Sequence, residues 1–161
     1  ATSGNKRKEW MPEYFAEVIK YLANQKGVQI FYTGTKEDSD IYQEIHNFID
    51  HDLVIKPVNL CGELSIQDSM ALISKTSLVI GVDSGTLHIA ASLNIPVIGI
   101  YGPMDPAKWH AWGKIHKIIF YNNIPCTPCE LREECFRDKA CLRNITPDMI
   151  IRECDKILFR N

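Results

Sequence analysis

The stretch Leu78–Pro106, LVIGVDSGTLHIAASLNIPVIGIYGPMDP, decides the fold. It opens on the apolar run Leu78–Val82, which is typical of a strand buried on both faces of a parallel sheet. Apolar residues at helical spacing follow from Thr86 and stop before Pro96, because the residue that precedes a proline disfavours the helical region. A second apolar run, Val97–Tyr101, comes next. The stretch therefore predicts a strand, a turn, a helix and a second strand, as in an open α/β sheet.

The turn of this unit is a candidate binding site. Asp83-Ser84-Gly85 follows the carboxyl end of a buried strand, where open α/β sheets bind ligands. The free N–H groups of Ser84, Gly85 and Thr86 would point out of the helix N-terminus toward a phosphate, and glycine allows a close approach to the backbone. His88 lies one turn into the helix, beside the same opening. Simple helix capping by Asp83 and Ser84 is the alternative.

The composition fits one globular domain. With 161 residues, 45% of them apolar, the chain is long enough for one full domain and hardly for two. The net charge of −2 argues against a general nucleic-acid-binding protein. No apolar run reaches the ~20 residues of a membrane span, and the polar start lacks a signal peptide. The three cations at 6–8 predict at most a peripheral membrane contact.

The rest of the chain alternates helical and strand patterns. Apolar spacing predicts helices from about Pro12 to Gln25 and over Asp38–Ile49, Ile66–Lys75 and Pro147–Phe159, and strands over Val28–Tyr32, Leu53–Val58 and His116–Tyr121. Phe48 is expected to point inward, Asp105 to form a loop, and Ser65 with Asp68, and Thr146, to cap helices. Five strands alternating with helices predict a doubly wound α/β domain.

The sequence GVDSGTLHIAASL at 81–93, followed by PVIGIYGPMDP at 96–106, closely resembles the donor-binding signature of glycosyltransferase family 9. These are the ADP-heptose:lipopolysaccharide heptosyltransferases. The resemblance implies a Rossmann-like doubly wound parallel sheet, the C-terminal half of a GT-B glycosyltransferase. Residues 1–161 would form a single nucleotide-sugar-binding domain. The turn Ala1–Gly4 resembles the end of a strand that is missing, and the acceptor domain with the general base is expected elsewhere.

The resemblance also implies roles for the basic loop. Lys8 would contact the donor pyrophosphate, with Thr2 and Ser3 beside it, and would stabilise the departing diphosphate as a mobile cation. Lys6 is a rival for this role, because the segment before Trp10 leaves both lysines in reach. The alternative is that the cations of this loop are solvated charges.

The remaining donor-site residues follow from the same resemblance. An acidic residue, Glu37 or Asp38, would hold the ribose hydroxyls, since a carboxylate accepts two hydrogen bonds from a vicinal diol; ordinary helix capping is the alternative for either. Leu64 would line the adenine pocket, or else lie in the core. Asp83 would bind sugar hydroxyls and, with Lys8, support catalysis. His88 would support the phosphate or the turn, beside the N–H groups at 84–86.

Four of the six cysteines have the spacing C-x2-C-x5-C-x5-C, at Cys126, Cys129, Cys135 and Cys141. Four thiolates suit a closed structural zinc site, although the second half lacks the short C-x2-C knuckle. Many family 9 members carry a similar cysteine-rich insert, here at about 123–144 before the helix at 147–159. A structural zinc, one or two disulfides, and free thiols remain open, with persistent disulfides disfavoured in the cytoplasm. Cys154 is expected in the core.

The reaction implied by the resemblance is an inverting transfer of heptose from ADP-heptose to the lipopolysaccharide inner core. Negative charge would build on the leaving ADP. Neither a catalytic metal nor another cofactor is expected, because no D-x-D motif is evident. The protein would be cytoplasmic, at the inner face of the bacterial inner membrane, with no nucleic-acid partner.

Three alternatives remain open from the sequence. One is another GT-B nucleotide-sugar enzyme with a different base or sugar, which nucleotide preference would reveal. The second is a nucleotide- or metal-binding module without transferase activity. The third is a zinc-dependent interaction domain built on the cysteines, which would not need the motif from Asp83 to His88.

Overall fold

The computed structural model describes residues 4–49, 53–113 and 115–159. The helices are α1 (Pro12–Lys20), α2 (Ser39–Asn47), α3 (Ile66–Ile73), α4 (Gly85–Ser92), α5 (Pro106–Trp109), α6 (Ala140–Arg143) and α7 (Pro147–Leu158). The strands are β1 (Phe31–Tyr32), β2 (Val58–Asn59), β3 (Val79–Val82), β4 (Val97–Tyr101) and β5 (Lys117–Phe120). The candidate residues Thr2 and Ser3 lie outside the described residues.

All the described strand pairs are parallel, and they form two sheets. β1 pairs with β2, while β4 lies between β3 and β5. Every residue of β4 is buried, because a central parallel strand has neighbours along both edges and helices over both faces. The parallel α/β architecture expected from the sequence is thus confirmed.

Two apolar clusters occupy the layers beside the sheets. The larger joins α1, α2 and α7 to the strands, with Trp10, Ile45 and Ile150 fully buried. The smaller joins α3 and α4 to β4, through residues such as Leu87. Helices of both groups therefore bury their apolar stripes against the strands, as in a doubly wound domain.

The central unit has the predicted bounds almost residue for residue, with β4 at Val97–Tyr101. Ser65 caps α3, since its hydroxyl accepts a hydrogen bond from the Asp68 N–H at 3.1 Å. Two expectations were wrong. Phe48 is 49% exposed, because α2 ends at Asn47 and its apolar stripe does not extend that far. Thr146 precedes α7 but makes no side-chain capping hydrogen bond.

The loop before α1 is tied to the C-terminal part of the chain. The Trp10 indole is fully buried and its Nε1–H donates to the Ile145 carbonyl at 2.9 Å. The Arg7 guanidinium donates to the backbone carbonyls of Leu131, at 3.2 Å, and Glu133. The interpretation of all three cations as solvated charges is therefore wrong for Arg7, and Lys8 sits between two anchored residues.

Candidate functional site

The best-defined polar contact of the described residues joins Lys8 to Asp83. The Lys8 Nζ lies 2.8 Å from the Asp83 Oδ2, although 75 residues separate the two. Asp83 directly follows β3 and is 7% exposed. A carboxylate this deeply buried needs a charged partner, and Lys8 supplies it. The structure thus brings together the two residues that the sequence singled out from opposite ends of this region.

The N-terminus of α4 begins two residues after Asp83. Ser84 has extended backbone angles, φ −156° and ψ 162°, and makes no side-chain capping bond. Capping by Ser84 is therefore not observed, and no side-chain cap occupies the first N–H groups of α4. These groups and the Lys8 ammonium give this end of the sheet a positive potential.

Open space lies over Gly85, the first residue of α4. A Cβ atom built at Gly85 would meet no atom within 4 Å. Thr86 is half-buried and His88 is exposed on the next turn. A ligand can therefore reach the backbone of the first turn directly, with the Thr86 and His88 side chains nearby.

The two candidate carboxylates after β1 differ in what they already bind. The Asp38 Oδ2 accepts from the Thr35 backbone N–H at 2.7 Å and lies 3.2 Å from its hydroxyl, which completes a capping box. Glu37 is exposed. Hydrogen bonds, first from its own backbone N–H and then from the Thr35 hydroxyl, lower the pKa of the Glu37 carboxyl. Both carboxylates take part in local capping, Asp38 more completely.

Leu64 lies in the loop after β2, half-buried and outside both apolar clusters. This loop is joined to the one after β1, because the Gly62 N–H donates to the Gly34 carbonyl at 2.9 Å. The placement of Leu64 in the core is therefore not observed, and Leu64 lies on the same edge of the β1–β2 sheet as Glu37.

Two further residues support the site from below. Asp105 caps α5, with its Oδ1 accepting from the Ala107 N–H at 2.9 Å, which confirms its interpretation as a loop former. Tyr101 is 1% exposed. Burial, and to a smaller extent the Asp83 carboxylate, raise the pKa of Tyr101 to about 12. The sequence alone did not identify Tyr101 as a neighbour of Asp83, because the two lie on different strands.

Comparison with protein families decides the identity of the fold. The model of glycosyltransferase family 9 (heptosyltransferase) matches residues 1–140. The chain belongs to this family. Lipooligosaccharide heptosyltransferase 2 of Campylobacter jejuni is 26% identical over 150 residues, which cover 93% of this chain and 47% of that protein.

Solved structures of family 9 proteins have the same fold. The structure of Escherichia coli ADP-heptose lps heptosyltransferase II superposes with a TM-score of 0.82 at 25% identity, covering 98% of this chain and 44% of that one. Escherichia coli heptosyltransferase WaaC, solved with ADP, superposes with a TM-score of 0.71 at 20% identity, covering 96% and 42%. The chain thus spans less than half the length of these family 9 relatives.

The cysteine-rich segment of this family 9 chain does not form a metal site. Cys126, Cys129, Cys135 and Cys141 all line one small cavity of about 20 Å³. Over residues 4–49, 53–113 and 115–159, however, no three His, Cys, Asp or Glu side chains are arranged to hold a metal ion. The six cysteines are free thiols. The zinc interpretation therefore does not fit the residues present, and the structure favours free thiols.

The thiols should differ strongly in reactivity. Burial raises the pKa of Cys154, which is 0% exposed, to about 12, whereas Cys135 is exposed. Because only the thiolate attacks, about one Cys154 thiol in 10,000 is reactive at pH 8. We expect Cys135 to react with Ellman's reagent within minutes and Cys154 to react only after unfolding.

Peptide mapping after labelling at pH 8 measures this difference, with Cys135→Ser as the control that removes the fast phase. Labelling of Cys154 as fast as that of Cys135 in the folded protein would contradict the buried position of Cys154.

None of the helices within the described part of the chain is long and apolar enough to cross a membrane.

Proposed function

We propose that this chain is the donor-binding domain of an inverting glycosyltransferase that moves heptose from ADP-heptose to the lipopolysaccharide inner core. The observation that carries the proposal is the Lys8–Asp83 pair beside the open N-terminus of α4. One cation, one buried carboxylate and a set of free N–H groups meet at the carboxyl end of β3, where a nucleotide-sugar is bound in sheets of this type.

The donor diphosphate takes the N-terminus of α4 in this proposal. The backbone N–H groups of Gly85 and Thr86 point at the phosphate oxygens, and the helix dipole favours their charge. Lys8 has three N–H donors and uses one on Asp83, which leaves two for the diphosphate. As the bond to heptose breaks, charge grows on the leaving ADP, and these preorganised donors stabilise it. His88 lies one turn away, within reach of the same group.

The sugar and the nucleoside occupy the two sides of the diphosphate. Asp83 keeps free lone pairs after binding Lys8, so its carboxylate accepts hydrogen bonds from sugar hydroxyls. Glu37 binds the ribose diol, since Asp38 is the more fully engaged by the capping box. Leu64 packs against the adenine. Thr2 and Ser3 precede the loop of Lys8 and stay candidates for the diphosphate.

The proposal rests on the family for everything beyond the donor. The acceptor domain and its general base belong to the part of the relatives that this chain does not span. WaaC was solved with ADP and with ADP-2-deoxy-2-fluoro heptose, which supports a nucleotide-sugar donor without a cofactor. The lipopolysaccharide acceptor places the reaction in the cytoplasm, at the inner face of the inner membrane, with peripheral contact at most.

Nucleotide selectivity and the open backbone at Gly85 test the proposal together. We expect the complete encoded protein to bind ADP more tightly than UDP or GDP, and Gly85→Ala to weaken ADP binding about 10-fold or more, because a methyl group displaces a phosphate from the charged hydrogen bonds of the first turn. Since the new Cβ meets no protein atom and alanine favours a helix over glycine, the free energy of unfolding should not fall.

Isothermal titration calorimetry gives the affinities, and chemical unfolding gives the stability. Preference for UDP or GDP would favour another GT-B enzyme. ADP binding by the complete protein without transfer to a lipopolysaccharide acceptor would favour a nucleotide-binding module. Unchanged ADP affinity in Gly85→Ala would place the diphosphate away from α4.

A further inference from the structure

A large apolar groove separates the two sheets. Its volume is about 580 Å³. Phe31 and Thr33 of the β1 segment line one wall, and Leu78 and Ile80 of the β3 segment line the other. We call this groove the strand slot. It lies between the β1–β2 and β3–β4–β5 sheets, at the position where one further strand would join them into a single sheet.

The backbone groups along both walls face into the strand slot. In a parallel ladder, alternate residues direct their N–H and C=O groups to opposite neighbours. The Val79 N–H donates to the Pro96 carbonyl at 2.9 Å, so Ile80 turns its groups away from β4. The Val58 N–H donates to the Ile30 carbonyl at 2.9 Å, so Phe31 turns its groups away from β2. Each wall of the slot is therefore an open edge of a sheet.

Helices close the slot above and below. Phe15, Val18 and Leu22 of the α1 segment line it on the side of the larger apolar cluster, and Ile73 and Leu87 line it on the side of the smaller one. Backbone polar groups that face an apolar space without partners cost free energy comparable to a lost hydrogen bond. The occupant that satisfies both edges is a β-strand with apolar side chains on both faces.

The two walls run in the same direction. Lys8 binds Asp83, which follows the carboxyl end of β3. The next residue, Glu9, lies near Asp38, which follows the carboxyl end of β1: burial chiefly, and in smaller part the carboxylates of Glu44 and Asp38, raise the pKa of Glu9. Both carboxyl ends therefore meet the same loop, and the occupant can be parallel to both walls.

We propose that the strand slot is filled by a parallel β-strand formed by the residues that precede Ala1 in the complete protein. Four residues from Gly4 to Lys8 span at most about 14 Å, so the chain before Gly4 leaves from the carboxyl end of the slot. Such a strand leads through Gly4, whose φ of +69° makes a turn, into α1 and on to β1. Strand, helix and neighbouring parallel strand then form one right-handed βαβ unit.

The length of the relatives supports this occupant. The chain spans 47% of the Campylobacter jejuni relative and 44% of the Escherichia coli structure. More than half of such a protein therefore lies outside the chain and is available to supply the strand. The proposal does not depend on the donor: a protein that binds no nucleotide can still fill the slot.

Amide hydrogen exchange in the complete encoded protein tests the proposal. Ile98, central in the sheet, is the protected reference, and Ile118, on the outer edge of β5, is the unprotected one. We expect the Phe31 and Ile80 amides to exchange at least about 100-fold more slowly than Ile118, at rates approaching that of Ile98. In the 161-residue chain the same two amides should exchange nearly as fast as Ile118.

Nuclear Overhauser contacts identify the occupant. Contacts from the Phe31 and Ile80 amides to residues that precede Ala1 within one molecule would support the proposal. Fast exchange of both amides in the complete protein would overturn it. Protection that appears only in a dimer by light scattering would also overturn it, since a second copy would then fill the slot. If the 161-residue chain does not fold, the complete protein alone decides.

Discussion

Lys8→Met lowers the affinity of the complete protein for ADP by about 10- to 100-fold, because a hydrogen bond to a charged group contributes roughly 1.5–3 kcal/mol. Methionine keeps a chain of similar length and removes only the ammonium group. Turnover falls further, by about 100-fold or more, since the leaving diphosphate carries more charge in the transition state than in the bound donor. Calorimetry with ADP and a steady-state transfer assay measure the two effects.

Lys6→Met is the matched control for this prediction. Lys6 lies two residues earlier in the same loop, and its side chain is exposed. The same change of charge there should alter ADP affinity by less than about 2-fold, since exposed charges interact weakly through solvent. If Lys6→Met has the larger effect, Lys6 rather than Lys8 contacts the diphosphate.

A second variant separates binding from stability. Lys8→Met leaves the buried Asp83 carboxylate without its partner, which destabilises the fold. Lys8→Met with Asp83→Asn removes both charges and should recover much of the lost free energy of unfolding. ADP affinity should stay low in the double variant, because the cation is still absent. Recovery of the affinity together with the stability would show that Lys8 acts only by holding Asp83.

The sequence predicted the parts of the fold that depend on local pattern. The β3–α4–β4 unit was predicted closely because its strands are buried on both faces and its turn is marked by Asp83-Ser84-Gly85. β1 and β2 were predicted too long, since only two residues of each pair with the other. Side-chain periodicity does not report how far a ladder extends.

The site was harder to predict than the fold. The 2.8 Å contact between Lys8 and Asp83 joins residues 75 positions apart, and only the resemblance to a family linked them beforehand. The engagement of Asp38 by Thr35 was invisible in the sequence, where Glu37 and Asp38 are equivalent neighbours. The binding of Arg7 to two backbone carbonyls left no signal either, because carbonyls are common to every residue.

Trp10→Ala should have the largest effect on stability, a loss of about 3–5 kcal/mol in the free energy of unfolding. The Trp10 ring is fully buried, and it packs edge-on against Tyr14 and Phe15 with centroid distances of 5.6 and 4.9 Å. Truncation empties this space and leaves the Ile145 carbonyl without its donor. A domain of this size has roughly 5–15 kcal/mol in total, so the variant would be close to unfolding.

Trp112→Ala makes the same chemical change at a surface position and serves as the control. The Trp112 side chain is 82% exposed, so its removal should change the free energy of unfolding by no more than about 0.5 kcal/mol. Trp10→Phe keeps most of the ring but not the N–H, so its loss of about 1–3 kcal/mol isolates the bond to Ile145. Urea unfolding measures all three variants. Equal losses for Trp10→Ala and Trp112→Ala would mean that the loop carrying Lys8 is not anchored by Trp10.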